Sequence, residues 1–222
     1  VRRGARWRRR LLGLALRSVD RWNRARLAWL RLRHPGLEID PAAGSNLAVA
    51  RYNLAPDARL RIAAGVVTER IPGRLHFVLY SGAVVEIGEN AWLRTEVGDV
   101  HLVAFEGAQL RVGPEAFLNG CHLSAKRAVR VGRRAWIGPG TRVFDADQHD
   151  LDDRTPERCE AVSIGDHVWI AAGCTVLRGV TIGAHSVIGA HSLVTGEVPP
   201  HTLAYGQPAR SRARIGDRSA CS

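Results

Sequence analysis

IGDHVWIAAGCTVLRGVTIGAHSVIGAHSLVTGEV, residues 164–198, carries a repeat from which the architecture follows. From Ile164 every sixth residue is aliphatic: Ile164, Ile170, Val176, Ile182, Ile188 and Val194. Four residues after each stands a small or β-branched side chain, namely Val168, Cys174, Val180, Ser186, Ser192 and Val198. A period of six matches neither a 3.6-residue helix nor simple strand alternation, but it is three times two. The small residue and the next aliphatic are two apart, so they share one face of a short strand, and the Gly- or Ala-bearing positions just after the aliphatic turn a corner. Three such hexads close a triangle, one full turn of the chain. Triangles stacked at about 4.8 Å per rung form a prism filled with aliphatic and small side chains.

Upstream the pattern continues with interruptions. Aliphatic-Gly corners stand at Ile87-Gly88, Val112-Gly113, Val131-Gly132, Ile164-Gly165 and Ile182-Gly183, with gaps of 25, 19, 33 and 18. The gap of 33 is one turn of 18 plus 15, so a loop leaves the prism between Val143 and Ile164. Before residue 84 the rhythm is ragged, with Leu60, Ile62 and Val67 marking an irregular start. The expected organisation is a helix over 1–33, irregular first coils over 34–83, a β-helix over 84–199 with a protruding loop at 144–163, and a tail over 200–222. Trp92, Phe117, Trp136 and Trp169 each lie five residues after an aliphatic-Gly corner, which predicts an outward aromatic ladder on one prism face.

Charge belongs to one end of the chain. Of 32 basic residues, 12 are arginines within residues 1–33, against the single acidic Asp20, and this segment carries the whole net charge of +11. The rest is neutral, which argues against a nucleic-acid-binding body. Leu11, Leu12, Ala15, Leu16, Val19, Trp22, Trp29 and Leu30 form an apolar stripe at helical spacing, ended by His34-Pro35-Gly36. A basic helix of this kind suits docking on an anionic membrane, or covering the prism or a partner, better than it suits nucleic acid. The four cysteines have no C-x-x-C spacing, and the run Leu11–Leu16 is too short for a membrane span, so the expected location is the cytoplasm, peripheral on the inner face of the cell membrane.

Several stretches resemble the hexapeptide-repeat acyltransferases, and within them the maltose, galactoside and polysaccharide O-acetyltransferases. They are AFLNGCHLSA (116–125), VRVGRRAWIGPGTRV (129–143), DADQHDLDD (145–153), the coils over 164–183 and SLVTGEVPPHTLAYGQPAR (192–210). The resemblance implies an all-β left-handed parallel β-helix of hexapeptide repeats behind the N-terminal basic α-helix. It also implies a homotrimer with sites between adjacent prisms, acetyl-CoA or another acyl-CoA as co-substrate, and acyl transfer to a hydroxyl of a saccharide or glycan precursor.

Taking a proton from a hydroxyl suits histidine, and His149 lies in the protruding loop among Asp145, Asp147, Asp150, Asp152 and Asp153. A neighbouring carboxylate would fix its tautomer. The resemblance makes His149 the general base, Asn119 the residue contacting acceptor hydroxyls and the Ala172 N–H the oxyanion donor. It places Trp169 near pantetheine and Ala190, Thr195 and Arg210 along the CoA groove, with Arg178, Arg212 and Arg214 as further basic residues. Two other readings compete: a catalytically silent trimeric scaffold, and a metalloenzyme like the gamma-class carbonic anhydrases. For the latter, His167 and His185 are 18 apart and His191 is one hexad on. They occupy outward turn positions where Asp or Asn would serve equally, so no metal is expected.

Overall fold

The computed structural model describes residues 2–70 and 73–221, with side chains from residue 13 onward. After the helix α1 (Arg2–Arg33), the chain winds through three parallel sheets of seven, eight and seven strands that form the faces of a prism. Face 1 runs from Leu37–Ile39 to Thr181–Ile182, face 2 from Val67–Thr68 to Thr202–Gly206, and face 3 from Arg51–Leu54 to Leu193–Val194. The antiparallel strand Ala209–Arg214 closes the far edge of face 2.

Register explains the core. On face 1, Ile39, Ile62, Ile87, Val112, Val131, Ile164 and Ile182 stack in one column, all buried. Each such side chain contributes about 1.5–3 kcal/mol relative to exposure. Outward, the register aligns Trp92, Phe117, Trp136 and Trp169 on face 2, the ladder expected from spacing.

Two boundaries differ from expectation. Residues 34–83 already form β-helix coils, because Leu37–Ile39 and Arg59–Ile62 pair in register with the rungs that follow. The irregularity lies in the first coil, where a 3-10 turn (Ser45–Val49) takes the place of a face 2 strand. At the other end the coil expected to stop at 199 continues through Thr202–Gly206, whose Ala204 is buried opposite Ile188. Excursion of the protruding loop covers 145–161, between the strands Arg142–Phe144 and Val162–Ile164.

Helix α1 also departs from the expected stripe. It docks on the first coil through Asn23, Leu27 and Leu30, while Leu16, Val19, Trp22 and Trp29 face outward. Arg24 and Arg26 tie it down by donating to the carbonyls of Pro41, Ala43 and Ala48. Polar Asn23 belongs to the docking face because it sits within hydrogen-bonding reach of Ser45 and Asn46 and accepts from Arg70. The side chains of Leu11 and Leu12 lie outside the described residues.

Corner glycines are required by space. A Cβ on Gly113 would lie 2.6 Å from the Gly132 carbonyl carbon and 2.7 Å from the Arg133 nitrogen, and one on Gly132 would lie 2.5 Å from the Gly165 carbonyl carbon. Two residues further round, where the backbone is left-handed, the chain uses Asn90, Glu115, Arg134, His167 and His185 instead of glycine. Gly113→Ala is therefore expected to cost about 1–3 kcal/mol in chaotrope unfolding. Gly196→Ala, with nothing within 4 Å, stays within about 0.5 kcal/mol of the parent.

Candidate functional site

The loop that carries His149 is anchored at its root. Asp145 is fully buried and accepts the backbone N–H groups of Lys126, Arg127 and Ala128 at 2.7, 2.8 and 2.6 Å. These groups belong to the corner of the preceding coil, so one carboxylate replaces the rung that the departing chain would have made there. The loop then doubles back, with antiparallel bridges pairing Ala146 with Cys159 and Asp152 with Thr155.

Two cations hold the loop against the prism. Arg178 donates from Nε to Asp147 and from a terminal nitrogen to Glu160, both at 2.5 Å. Lys126 Nζ donates to both carboxylate oxygens of Glu157, at 2.7 and 2.9 Å, and to the Gln148 carbonyl at 3.0 Å. Gln148 immediately precedes His149 and has a left-handed φ of 77°, an unusual conformation for this residue type that the Lys126 contact helps maintain. Lys126 is the one lysine in the chain, and its role escaped sequence reading. The signal was compositional: a solitary lysine among 31 arginines, where a compact ammonium with freely rotating donors can meet a carboxylate and a carbonyl at once.

His149 itself is exposed. Four of its five flanking carboxylates are engaged elsewhere: Asp145 and Asp147 as above, Asp150 with the Glu157 N–H, and Asp152 with the Arg154 N–H. The expected carboxylate hold on the imidazole is absent among the described residues of this protomer. Beside the loop, Phe144, Ala146, Asp147, Gln148, Leu177, Arg178 and Thr195 line a cleft of about 480 Å³.

The remaining candidates lie apart from it. Asn119 ends a face 2 strand at the corner toward face 3, and its buried Oδ1 has no hydrogen-bond partner. Ala172 and Ala190 occupy the corresponding corner on later coils. Neither donates its N–H to an acceptor among the described residues, although the intervening positions do, as in the His191 N–H to Ala172 carbonyl bond. Thus Asn119, Ala172 and Ala190 line one edge of face 3, while His149 and Thr195 stand at the opposite edge. The separation is the width of a four-residue strand, roughly 13 Å. Trp169 is partly exposed on face 2 with the Arg218 guanidinium 5.6 Å from its ring centroid. Arg210 projects from the terminal hairpin and donates to the neighbouring Ala209 carbonyl, leaving its remaining donors outward. Arg178 is bound into the loop clamp and is not a free phosphate ligand.

The histidine columns do not suit a shared metal. His167, His185 and His201 stack face to face, with centroids 4.9 and 4.8 Å apart and planes 6° and 7° from parallel, while His191 sits at a different corner. His76, Asp99 and His101 bring three ligand atoms within 4.8 Å, but those imidazoles too are stacked, 4.3 Å apart and 8° from parallel. An imidazole nitrogen binds a metal through its in-plane lone pair, so parallel stacked rings cannot both address one ion.

The family model for the bacterial transferase hexapeptide (six repeats) matches residues 161–196. Galactoside O-acetyltransferase of Lactococcus lactis is 37% identical over 90 residues, which cover 39% of this chain and 44% of that protein. The crystal structure of a hexapeptide-repeat acetyltransferase from Vibrio cholerae, complexed with acetyl coenzyme A, is 30% identical, covering 62% of this chain and 73% of that one, with a TM-score of 0.48. The polySia-specific acetyltransferase NeuO is 20% identical, covering 78% of each chain, with a TM-score of 0.57, a likeness of fold. This chain belongs to the hexapeptide-repeat transferases, and its fold is the left-handed parallel β-helix of that family. It spans about half the length of the curated relatives it matches.

The clamp makes the loop sensitive to substitution and to acid. Lys126→Ala, which leaves Glu157 and the Gln148 carbonyl unpartnered, is expected to weaken the closed loop by about 2 kcal/mol, between the exposed and buried ion-pair ranges. Hydrogen exchange should show faster amide exchange over 146–158 and an unchanged prism. The Arg178 hydrogen bond holds the Asp147 carboxyl below its ordinary range, with further help from the Arg158 N–H. A depressed carboxylate stabilises the fold above its unfolded pKa, so the Asp147 contribution is present at neutral pH and is lost as pH falls below about 4.

Proposed function

We propose that this protein transfers an acetyl or other acyl group from acyl-CoA to a hydroxyl of a saccharide or glycan precursor, at sites formed between the subunits of a homotrimer. The observation that carries the reading is the clamped loop, in which contacts at Asp147, Gln148 and Asp150 fix the backbone on both sides of His149, next to a cleft that Gln148 and Thr195 line. A histidine held in this way serves as a general base. It takes the acceptor hydroxyl proton as that oxygen attacks the thioester carbonyl carbon. The Ala172 N–H donates to the oxygen that becomes anionic. The C–S bond then breaks, an ester forms, and the coenzyme A thiolate leaves with the proton returned from His149. The orphan Oδ1 of Asn119 accepts from an acceptor hydroxyl, which supplies the partner the protomer lacks.

Transfer is direct in this scheme. Cys121 and Cys174, each two residues from a candidate group, are buried, which raises both thiols, that of Cys121 to about 12. Burial also raises Cys159 in the loop. Thiols held protonated are poor nucleophiles, so no acyl-cysteine intermediate is invoked. The cleft, Thr195, the ring of Trp169 and the outward donors of Arg210 fit the pantetheine and phosphate parts of coenzyme A in chemistry. Because the edges carrying His149 and Asn119 are apart within one prism, the site requires a neighbour.

Thiol release from acetyl-CoA with an arrayed panel of sugars tests the chemistry. His149→Ala should lower turnover by about 10²- to 10⁴-fold; a rate equal to the parent's removes His149 from the mechanism. Subunit mixing tests the assembly. His149→Ala and Asn119→Ala should each be strongly impaired alone, and their co-expressed mixture should regain about a quarter of parental activity, since randomly paired edges restore that fraction of intact sites. No recovery in mixed trimers would place both residues in one subunit's site.

A further inference from the structure

We propose that the outward face of α1 is a membrane-docking surface that lays the helix along an anionic lipid leaflet. Of thirteen large hydrophobic residues exposed among the described residues, six lie on this helix: Leu14, Leu16, Val19, Trp22, Trp29 and Leu32. Trp22 and Trp29 are each 53% exposed and Leu32 is 84% exposed, although the docking residues Asn23, Leu27 and Leu30 are buried only one or two positions away. The prism therefore satisfies one face of the helix and leaves another bare.

The bare face is organised. At about 100° per residue, Leu14, Ser18, Trp22, Ala25, Trp29 and Leu32 fall within an arc of about 80°. Arg17 and Arg21 border that arc on one side. Arg26 and Arg33 border it on the other, each with its guanidinium 5.8 Å from a tryptophan ring centroid, over Trp22 and Trp29 respectively. An apolar strip holding tryptophans and flanked on both sides by arginines matches a helix lying in the interfacial plane: the rings enter the headgroup boundary and the guanidinium groups meet lipid phosphates. No helix among the described residues is both long and apolar enough to cross a membrane.

Charge selects the occupant. Residues 1–33 carry a net +11 and the rest of the chain is neutral. A second copy of this chain would offer the helix either a neutral prism or another strongly cationic helix. An anionic leaflet supplies both an apolar interior and the opposite charge. Nucleic acid would meet the arginines and leave the tryptophans in water.

The full-length protein is to be sedimented with phosphatidylcholine vesicles, with and without roughly 30 mol% phosphatidylglycerol. The proposal expects binding at least about tenfold stronger to the anionic vesicles, weakened by about 0.5 M NaCl. It also expects a loss of about tenfold or more in Trp22→Ser/Trp29→Ser, whose thermal midpoint stays at the parental value. Equal partition onto neutral vesicles, or full retention by the double variant, overturns it. Absence of vesicle binding together with a smaller oligomer in the double variant also overturns it, and assigns the face to a second copy. None of these readouts depends on acyl transfer.

Discussion

Close approach of successive backbones at the corners governs this molecule. Parallel rungs lie about 4.8 Å apart. At the corner between faces 1 and 2 the first residue of each turn faces the main chain of the next turn so closely that a methyl group would overlap it. Glycine at 88, 113, 132, 165 and 183 is thus the condition for stacking, and stacking is what brings the inward aliphatic columns into contact. The left-handed positions two residues later carry side chains that stack on one another along the column, as His167, His185 and His201 do. This division explains why histidines collect at that corner. His167, His185 and His201 share a backbone conformation and a column, and their stacking follows from the rung spacing without any ligand to organise it.

Departure of the loop is governed by the same constraint. Chain that leaves the prism after Phe144 deprives the preceding corner of its backbone acceptors. Asp145 accepts three N–H groups in their place, at the first position where it can reach them. Arg178 and Lys126 then fasten the excursion from the coils after and before it, through residues 31 positions away from Asp147 and Glu157 respectively. His149 is consequently mounted on an anchored hairpin and not on a free surface loop.

This distribution explains what was legible in the sequence. Period six over 164–198 gave the prism, its inward columns and the outward ladder, because every rung repeats the same local geometry. The long gap between the corners at Val131 and Ile164 located the loop for the same reason. Long-range pairings inside the loop were not legible: five aspartates surround His149 in sequence, and nothing local separates the one that caps a distant corner from the one that meets Arg178. The first coil hid behind its 3-10 turn, which α1 covers through Asn23, a polar residue that a hydrophobic stripe omits. His201 follows His185 at a spacing two short of a full turn, so a strict repeat search passes over it although it occupies the same corner.

The separation of the candidate residues onto two edges of face 3 bears on the assembly. Two arrangements of copies bring a loop edge against the unlike edge. A parallel face-to-face dimer does so, but it lays the outward column His76, His101, His122 and Arg142 against its own symmetry copy. Burial already disfavours charge on His101 and His122, and neighbouring histidine or arginine charge disfavours it further. Packing a second such column onto this one would desolvate the Arg142 guanidinium against like groups, whereas Asp99 meets His76 and His101 at the other end of the column. A head-to-tail contact between unlike edges leaves the column in solvent and closes as a ring. Three is the smallest ring such a contact can close, and a triangular prism presents its edges at the angles a three-membered ring uses. The edge arrangement admits both assemblies, and the composition of face 3 favours the proposed trimer over a dimer.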